Sequence, residues 1–246
     1  MNTEFVKSID STNTYLYKNA LQGTFTSERA ICADMQTAGK GRSGRSFFSP
    51  DETGVYLSLL LFPDCTVTEA QKLTTMMAVA AADALRSISD KDVRIKWVND
   101  LYLDGRKISG ILTECSPDIK DGRPSFVVTG IGINILKPEG GFPDDIKDRA
   151  GALLDEIPEG YADITEFKRA LANAIISSFE KMYKDFPGTD FVDEYRNLDM
   201  LTGRDVMILN GPEVRVLGIE DDLGLKVMHK DNTVEVLHAG EISIIL

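Results

Sequence analysis

The chain has 246 residues, of which 43% are hydrophobic and 27% are charged, a composition typical of a globular protein with a sizeable core. Its formal net charge of -12 disfavours nucleic acid as a partner, because binding to phosphates requires clustered Lys and Arg. No stretch approaches the roughly 18 apolar residues of a membrane span, and the first ten residues lack the apolar core of a signal peptide. We therefore expect a cytoplasmic protein that binds neither nucleic acid nor a membrane.

The cysteines and histidines point away from a disulfide framework and from a zinc site. The chain has three cysteines, Cys32, Cys65 and Cys115, which are far apart and lie among apolar or small residues. This setting favours buried, reduced thiols. The two histidines, His229 and His238, are far from any pair of cysteines, so a zinc site has little support. Any metal is expected to be oxygen-ligated magnesium that arrives with a nucleotide.

The first part of the chain predicts one helix followed by two strands. Asp10 to Leu21 begins with capping residues and continues with apolar residues at near-helical spacing, which indicates a short helix. Ala30 to Gln36 has the pattern of a strand. The glycine-rich stretch from Thr37 to Thr53 is expected to be a loop, and Val55 to Phe62 is expected to be a buried strand.

A long helix and a series of strands follow. Thr68 to Ile88 carries Ala, Leu and Met at helical spacing, with Thr68 as the expected cap. The dipeptides Asp104-Gly105 and Asp121-Gly122 favour hairpin turns. The strands predicted here are Val93 to Trp97, Leu101 to Leu103, Lys107 to Cys115 and Phe126 to Ile135. With so few helices between strands, the pattern favours an α+β fold with a mixed sheet over a doubly wound fold.

The last third of the chain predicts a second, smaller unit. An amphipathic helix is expected from about Thr165 to Lys184, and short strands with turn residues begin at Gly203, which is typical of a small antiparallel barrel. We place the boundary near Leu198 to Thr202. This gives a first domain of residues 1–198 and a second of residues 199–246.

The segment Ala38 to Pro50, AGKGRSGRSFFSP, interleaves three glycines with three cations and ends with two aromatic residues. Glycine lets a backbone approach a ligand closely, and Lys and Arg supply charge for phosphate or carboxylate. The segment therefore indicates an anion-binding loop, although a mobile basic surface loop would have the same composition. It is neither a Walker A motif, since no GK[ST] occurs, nor a dinucleotide-binding fingerprint, since no helix pattern follows it.

Two further segments carry polar residues beside apolar strands. Ile95 to Glu114, IKWVNDLYLDGRKISGILTE, clusters polar groups at the turn between two strands, where they would converge on one rim of a sheet. A solvated hairpin edge is the alternative, with Trp97 as ordinary core. Val127 to Ile135, VVTGIGINI, places two glycines and Asn134 in an apolar strand, where glycine marks a bulge or a close approach to a ligand. A structural amide would explain Asn134 equally well.

Together with the STN sequence at Ser11 to Asn13, these segments resemble the catalytic and C-terminal domains of biotin-protein ligases, in the same order and spacing over nearly the whole chain. The resemblance implies a mixed sheet flanked by helices, like that of class II aminoacyl-tRNA synthetases, followed by a small SH3-like barrel. It also implies the stand-alone form, because STN at residue 11 leaves no room for an N-terminal DNA-binding domain.

The activity implied by the resemblance uses ATP and Mg²⁺ to convert biotin to biotinyl-5'-AMP with release of pyrophosphate. Biotin would then pass to a lysine of a biotin carboxyl carrier protein or domain. Such chemistry needs no enzyme nucleophile, which agrees with the lack of a Ser-His or Cys-His signature.

The alternatives are a lipoate or octanoate ligase and a non-catalytic biotin or nucleotide sensor. An exposed strand edge could also pair with a second copy as a homodimer or with the carrier.

The same resemblance implies roles for individual residues. The biotin-binding residues would be Ser11, Thr12, Asn13, Gln36, Gly39, Lys40, Gly110 and Leu112. The residues binding ATP or the adenylate would be Arg42, Arg45, Phe47, Asn99, Lys107 and Asn134. The catalytic residues would be Lys107, Arg42 and Asp100, and Asp100 would also hold magnesium. Two positions depart from the family, which usually has Pro at Val98 and Trp at Phe47; Phe47 offers adenine a smaller stacking face.

Overall fold

Two main β-sheets, a short two-stranded sheet and a set of flanking helices make up the computed structural model, which describes residues 1–238, 240 and 242–244. The strands are β1 (Asn2–Ile9), β2 (Arg29–Gln36), β3 (Gly54–Leu61), β4 (Arg94–Lys96), β5 (Asp100–Leu103), β6 (Arg106–Cys115), β7 (Ile119–Lys120), β8 (Arg123–Pro124), β9 (Val127–Asn134), β10 (Asp205–Ile208), β11 (Glu213–Ile219), β12 (Leu225–Met228), β13 (Val234–Leu237) and β14 (Ile242–Ile244). The α-helices are α1 (Thr12–Leu21), α2 (Val67–Ala70), α3 (Lys72–Ser89), α4 (Ile164–Tyr183) and α5 (Val192–Leu198).

The large sheet has seven strands in the order β1-β2-β3-β9-β6-β5-β4. β1 runs parallel to β2, and the other neighbours pair antiparallel. This confirms the predicted α+β fold with a mixed sheet. The edge strand β1 was not predicted from the sequence, because its residues alternate between exposed and partly buried and form no apolar run. The short pair β7 and β8 and helix α5 were also not predicted.

The helices cover both faces of the large sheet. α1 begins where predicted, with Ser11 as its cap, and packs Leu16 against Ile31 and Leu60 on one face. α3 and α4 pack on the other face. The predicted helix from Thr68 to Ile88 is interrupted and forms α2 and α3, and its cap is Thr66, whose side chain and Glu69 form a capping box. No helix in the described residues is long and apolar enough to cross a membrane.

The three thiols behave as the sequence indicated. Cys32 and Cys65 are buried, Cys115 is partly buried, and all three are free. Burial raises the pKa of Cys32 to about 12 and that of Cys65 to about 11. Both are therefore uncharged thiols near neutral pH, as expected for structural rather than reactive cysteines.

The second sheet is small and antiparallel, with five strands in the order β13-β12-β11-β10-β14. Its apolar residues continue the core of the large sheet. Several polar contacts tie the two units together. Trp97 Nε1 donates to the Leu223 carbonyl at 2.9 Å, Arg196 Nε donates to the Ile219 carbonyl at 2.9 Å, and the Met200 amide donates to a carbonyl of β4 at 3.0 Å. A barrel-like second unit is thus confirmed, while the boundary near residues 198 to 202 stays a prediction.

The Trp97–Leu223 hydrogen bond is expected to stabilise the contact between the two sheets. Trp97→Phe keeps an aromatic ring but leaves the Leu223 carbonyl without its donor, and an unpaired buried group costs roughly 1–3 kcal/mol. We expect a decrease of that size in the free energy of unfolding, measured in urea. Phe62→Leu, at an exposed position, is the control and should change it by less than about 0.5 kcal/mol. A Trp97 variant that matches this control would contradict the assignment.

Candidate active site

A cleft of about 720 Å³ lies on the α1 face of the large sheet, a volume in the range of small-molecule sites. Residues from all four sequence segments line it, so chain positions as distant as 11 and 134 meet in one place. Every residue predicted for the site lies in its wall except Gly39. Residues of the second unit, Leu209, Gly240 and Ile242, complete the lining.

Gly39 was predicted to bind biotin, and its contact with biotin stays a prediction. It is buried, and a Cβ atom there would lie 2.5 Å from the Phe47 carbonyl oxygen and 2.6 Å from Ser49 Oγ. Its carbonyl also accepts a hydrogen bond from the Phe47 amide at 2.9 Å. Gly39 therefore lets the basic loop fold tightly on itself, and it lies outside the cleft wall.

Two glycines of β9 make room for side chains that lie flat on the sheet. A Cβ atom on Gly130 would lie 1.8 Å from Asn13 Oδ1, and a Cβ atom on Gly132 would lie 2.4 Å from the Phe47 ring. Both glycines face the cleft because they are two residues apart in one strand. Side chains of the protein approach these glycines closely, and the predicted close approach of a ligand stays a prediction.

Gln36 lies at the centre of a polar chain at one end of the cleft. Its Oε1 accepts hydrogen bonds from the Thr12 amide at 2.9 Å and from Thr12 Oγ1 at 3.1 Å. Its Nε2 donates to Ser49 Oγ at 3.1 Å, which in turn donates to the Phe47 carbonyl at 2.9 Å. The orientation of the Gln36 amide is therefore fixed before any ligand arrives.

Ser58 belongs to this end of the cleft but was not predicted as a site residue. It is fully buried, and its Oγ lies 2.7 Å from Thr12 Oγ1 and 2.6 Å from Asn13 Oδ1. Asn13 Nδ2 also donates to the Leu112 carbonyl at 3.2 Å and to Glu114 Oε2 at 2.9 Å. These contacts show Asn13 holding α1 against β6, and its contact with biotin stays a prediction. The signal in the sequence was a single serine in an otherwise hydrophobic strand.

The basic loop reaches the turn between β4 and β5. Arg42 Nη1 donates to Asn99 Oδ1 at 2.9 Å, and Asn99 is itself fixed, since its Nδ2 donates to the Ile111 carbonyl at 2.9 Å. Lys40 Nζ lies 3.8 Å from Glu114 Oε1. The loop is thus attached to the sheet at two points, which favours a binding loop over a mobile surface loop.

Lys107 lines the cleft beside the same turn. Its Nζ donates to Asp100 Oδ1 at 2.6 Å, and both side chains are partly buried. Strict strand alternation would put Lys107 and Gly110 on opposite faces, yet a Cβ atom on Gly110 would lie 3.3 Å from Lys107 Nζ. A bulge at Ile108, where the pairing of β5 with β6 shifts by one residue, brings them to the same face.

The segment after β9 forms the remaining wall. Asn134 Nδ2 donates to the Gly151 carbonyl at 3.0 Å, and the Gly151 amide donates to the Lys107 carbonyl at 2.8 Å. Tyr102 lies beside them in the lining. Burial, with a smaller contribution from Asp100, raises the pKa of Tyr102 to about 12, so its hydroxyl stays protonated at neutral pH.

The cleft gathers positive charge in an acidic protein. The cations in its lining are Lys40, Arg42, Arg45, Lys96, Lys107 and Arg149. Among the described residues no group of three or more His, Cys, Asp or Glu side chains could form a metal cage. Magnesium bound with a nucleotide needs only one or two protein carboxylates besides phosphate oxygens, so Asp100 fits it. The arrangement suits two anionic reactants, such as a carboxylate and a phosphate.

A family model described as biotin/lipoate A/B protein ligase family matches residues 5–134, slightly more than half of the 246 residues. The chain belongs to this family. The bifunctional ligase/repressor BirA of Bacillus subtilis (strain 168) is 32% identical over 233 residues, covering 92% of this chain and 67% of that protein. BirA of Escherichia coli (strain K12) is 30% identical over 242 residues, covering 96% and 72%.

Solved structures of the family resemble the whole fold. The biotin protein ligase from Aquifex aeolicus in complex with biotin and ATP has a TM-score of 0.76 and 26% sequence identity, covering 99% of this chain and 98% of that one. The biotin protein ligase from Leishmania major in complex with biotinyl-5-AMP has a TM-score of 0.61 and 22% identity, covering 97% and 99%. At 22% identity, the similarity to the Leishmania major structure supports the fold alone.

The close approach at Gly130 predicts a low tolerance for any side chain there. Gly130→Ala places a Cβ atom 1.8 Å from Asn13 Oδ1 and 2.7 Å from Ser58 Oγ, and such overpacking costs roughly 1–3 kcal/mol. We expect the midpoint of urea unfolding to fall accordingly. Gly41→Ala is the control, because its nearest neighbour would be 3.4 Å away. Equal stability of the two variants would rule out the tight contact.

Proposed function

We propose that this protein is an ATP-dependent biotin-protein ligase. It converts biotin and ATP to biotinyl-5'-AMP and pyrophosphate, and then transfers biotin to a lysine of a biotin carboxyl carrier protein or domain. The observation that carries the proposal is the meeting of Arg42 and Lys107, from separate segments, at the consecutive residues Asn99 and Asp100. Family membership and the match to a ligase solved with biotin and ATP support it.

Biotin is assigned to the end of the cleft where the Gln36 network lies. A ureido ring offers one carbonyl and two N–H groups, and the hydroxyl and amide groups of Ser11, Thr12 and Gln36 can satisfy both kinds of partner. The apolar remainder of biotin would lie along β6, over Leu112 and Gly110. In that position its carboxylate points towards Lys107.

The first step joins two anions. A carboxylate oxygen of biotin attacks the α-phosphorus of ATP, the bond from that phosphorus to the bridging oxygen of the β-phosphate breaks, and pyrophosphate leaves. Arg42 and Lys107 reduce the repulsion between the reactants and stabilise the charge that develops on the phosphoryl oxygens. Magnesium held by Asp100 would neutralise further phosphate charge. Phe47 and Asn134 are assigned to the adenine.

In the second step the amine of the carrier lysine attacks the acyl carbon of the adenylate, and AMP leaves. Arg42 is assigned to hold the adenylate until the carrier arrives. The large sheet ends in β1 and β4, and an edge strand can pair with a partner or with a second copy of the chain. The carrier, a homodimer and a cytoplasmic location remain predictions.

Two other activities would use a similar cleft. A lipoate or octanoate ligase would bind an apolar chain and has less need for the buried polar network around Gln36 and Thr12. A sensor that binds biotin without chemistry has no need for Lys107, since a pure binder does not stabilise a transition state. The residues present favour the biotin ligase over both.

The proposal is tested by incubating the protein with ATP, Mg²⁺, biotin and a biotin carrier domain, and measuring the carrier by mass spectrometry. We expect a gain of one biotinyl group on one lysine, with AMP formed in equal amount. Reactions without ATP, and reactions with lipoate in place of biotin, are the controls. Modification by lipoate alone would assign the lipoate ligase, and biotin binding without AMP would assign the sensor.

Lys107→Ala is expected to abolish most adenylate formation. Removing a charge-assisted contact to a transition state in a dry site costs about 3 kcal/mol, which is a hundredfold or more in rate. Biotin-dependent exchange of pyrophosphate into ATP measures the step. Lys147→Ala is the matched control, because this exposed lysine pairs with Asp144 and lies outside the cleft wall. Near-normal exchange in the Lys107 variant would refute the role.

A further inference from the structure

Arg149 lies in the cleft but belongs to none of the four sequence segments. Its carbonyl accepts a hydrogen bond from the Lys107 amide at 2.8 Å, and the next residue, Ala150, pairs with Lys107 as an isolated parallel bridge. The backbone of Arg149 is therefore fixed to the strand end that carries the central lysine. Among the described residues, however, no hydrogen bond or ion pair of its side chain accounts for an arginine at this position.

Arg149 differs from Lys107 and Lys40 in how its positive charge is balanced by nearby carboxylates. Lys107 pairs with Asp100, and Lys40 lies near Glu114. Within residues 1–238, 240 and 242–244, no carboxylate lies within 4 Å of the Arg149 guanidinium, not even that of Asp148, which is adjacent in sequence and also lines the cleft. In a chain with a net charge of -12, a cation that faces a cleft without an ion pair favours an anionic ligand.

Arg149 lines the same part of the cleft as Lys107 and Asp100. The Lys107 amide donates to the Arg149 carbonyl, and Lys107 Nζ donates to Asp100 Oδ1. Tyr102, the cross-strand partner of Lys107, lines the cleft beside them.

The order of groups along β6 matches the order of atoms in the proposed reaction. Leu112 lies at the biotin end, and Gly110 follows. Lys107 lies at the opposite end, roughly 15 Å of strand away, together with Arg149, whose carbonyl accepts from the Lys107 amide. When a carboxylate attacks the α-phosphorus, the attacking and leaving oxygens lie roughly in line. If biotin enters from the Leu112 end, the leaving pyrophosphate lies beyond Lys107, where Arg149 is.

We propose that Arg149 binds the β- and γ-phosphates of ATP, the part that leaves as pyrophosphate. This proposal rests on the proposed function and adds the residue that recognises the leaving group. The planar guanidinium can donate two parallel hydrogen bonds to phosphate oxygens. Arg149 thereby helps to hold the nucleotide for in-line attack, and it makes no contact with biotin or with the adenylate.

The test compares Arg149→Ala with the unchanged protein in each half-reaction. We expect the KM for ATP in adenylate formation to rise roughly tenfold to a hundredfold, as for the loss of a hydrogen bond to a charged group. Transfer from preformed biotinyl-adenylate to the carrier should change less than about twofold, since the adenylate has no β- or γ-phosphate. Arg149→Lys should recover part of the ATP affinity. Lys147→Ala, on the same loop but outside the cleft wall, should match the unchanged protein.

Binding of inorganic pyrophosphate, measured by calorimetry, tests Arg149 without turnover. We expect weaker binding by Arg149→Ala and unchanged binding of biotin. Equal pyrophosphate affinity in the two proteins, or an equal loss in both half-reactions, would overturn the proposal. If the unchanged protein forms no adenylate, the ligase function fails, and the pyrophosphate measurement still decides whether Arg149 is an anion site.

Discussion

The position of positive charge in the cleft depends on two consecutive residues at the turn between β4 and β5. Asn99 accepts a hydrogen bond from Arg42, and Asp100 accepts one from Lys107, so side chains from two separate segments meet at one point. The turn can serve both because it is itself fixed. Asn99 exchanges hydrogen bonds with both backbone groups of Ile111 in β6. Without that anchor, two mutually repelling cations would have no reason to stay close.

Contacts from α5 and from the second unit also hold this turn in place. Trp97 Nε1 reaches the Leu223 carbonyl in the second sheet, and the fully buried Tyr195 of α5 donates from its hydroxyl to the Val98 carbonyl at 3.3 Å. The second sheet also contributes directly to the cleft wall, for example through Leu209. The small sheet is therefore part of the site's framework. The interpretation of Trp97 as a core residue agrees with its burial. It did not include the hydrogen bond from Trp97 to the Leu223 carbonyl.

The sequence predicted most of the fold, because periodicity and turn residues are local signals. The Asp104-Gly105 turn shows this well: both residues have positive φ, of 49° and 75°, and connect β5 to β6. What the sequence could not predict depends on tertiary contacts. The helix break at Gln71 has no proline or glycine to mark it. The bulge at Ile108 depends on pairing with β5, and the close packing at Gly39 is set by the path of its own loop.

The two central cations differ in how much of their charge the protein offsets. Lys107 is paired with a carboxylate at 2.6 Å, so a ligand anion must compete with Asp100 for it. Arg42 donates to the neutral amide oxygen of Asn99, which orients the guanidinium but does not neutralise it. A guanidinium also retains further N–H donors in a fixed plane after one is used. An anion that enters the cleft therefore meets an Arg42 side chain that is already oriented and charged. This difference between the two cations is the physical reason for the proposed roles: Arg42 retains the adenylate, and Lys107 stabilises charge during the reaction.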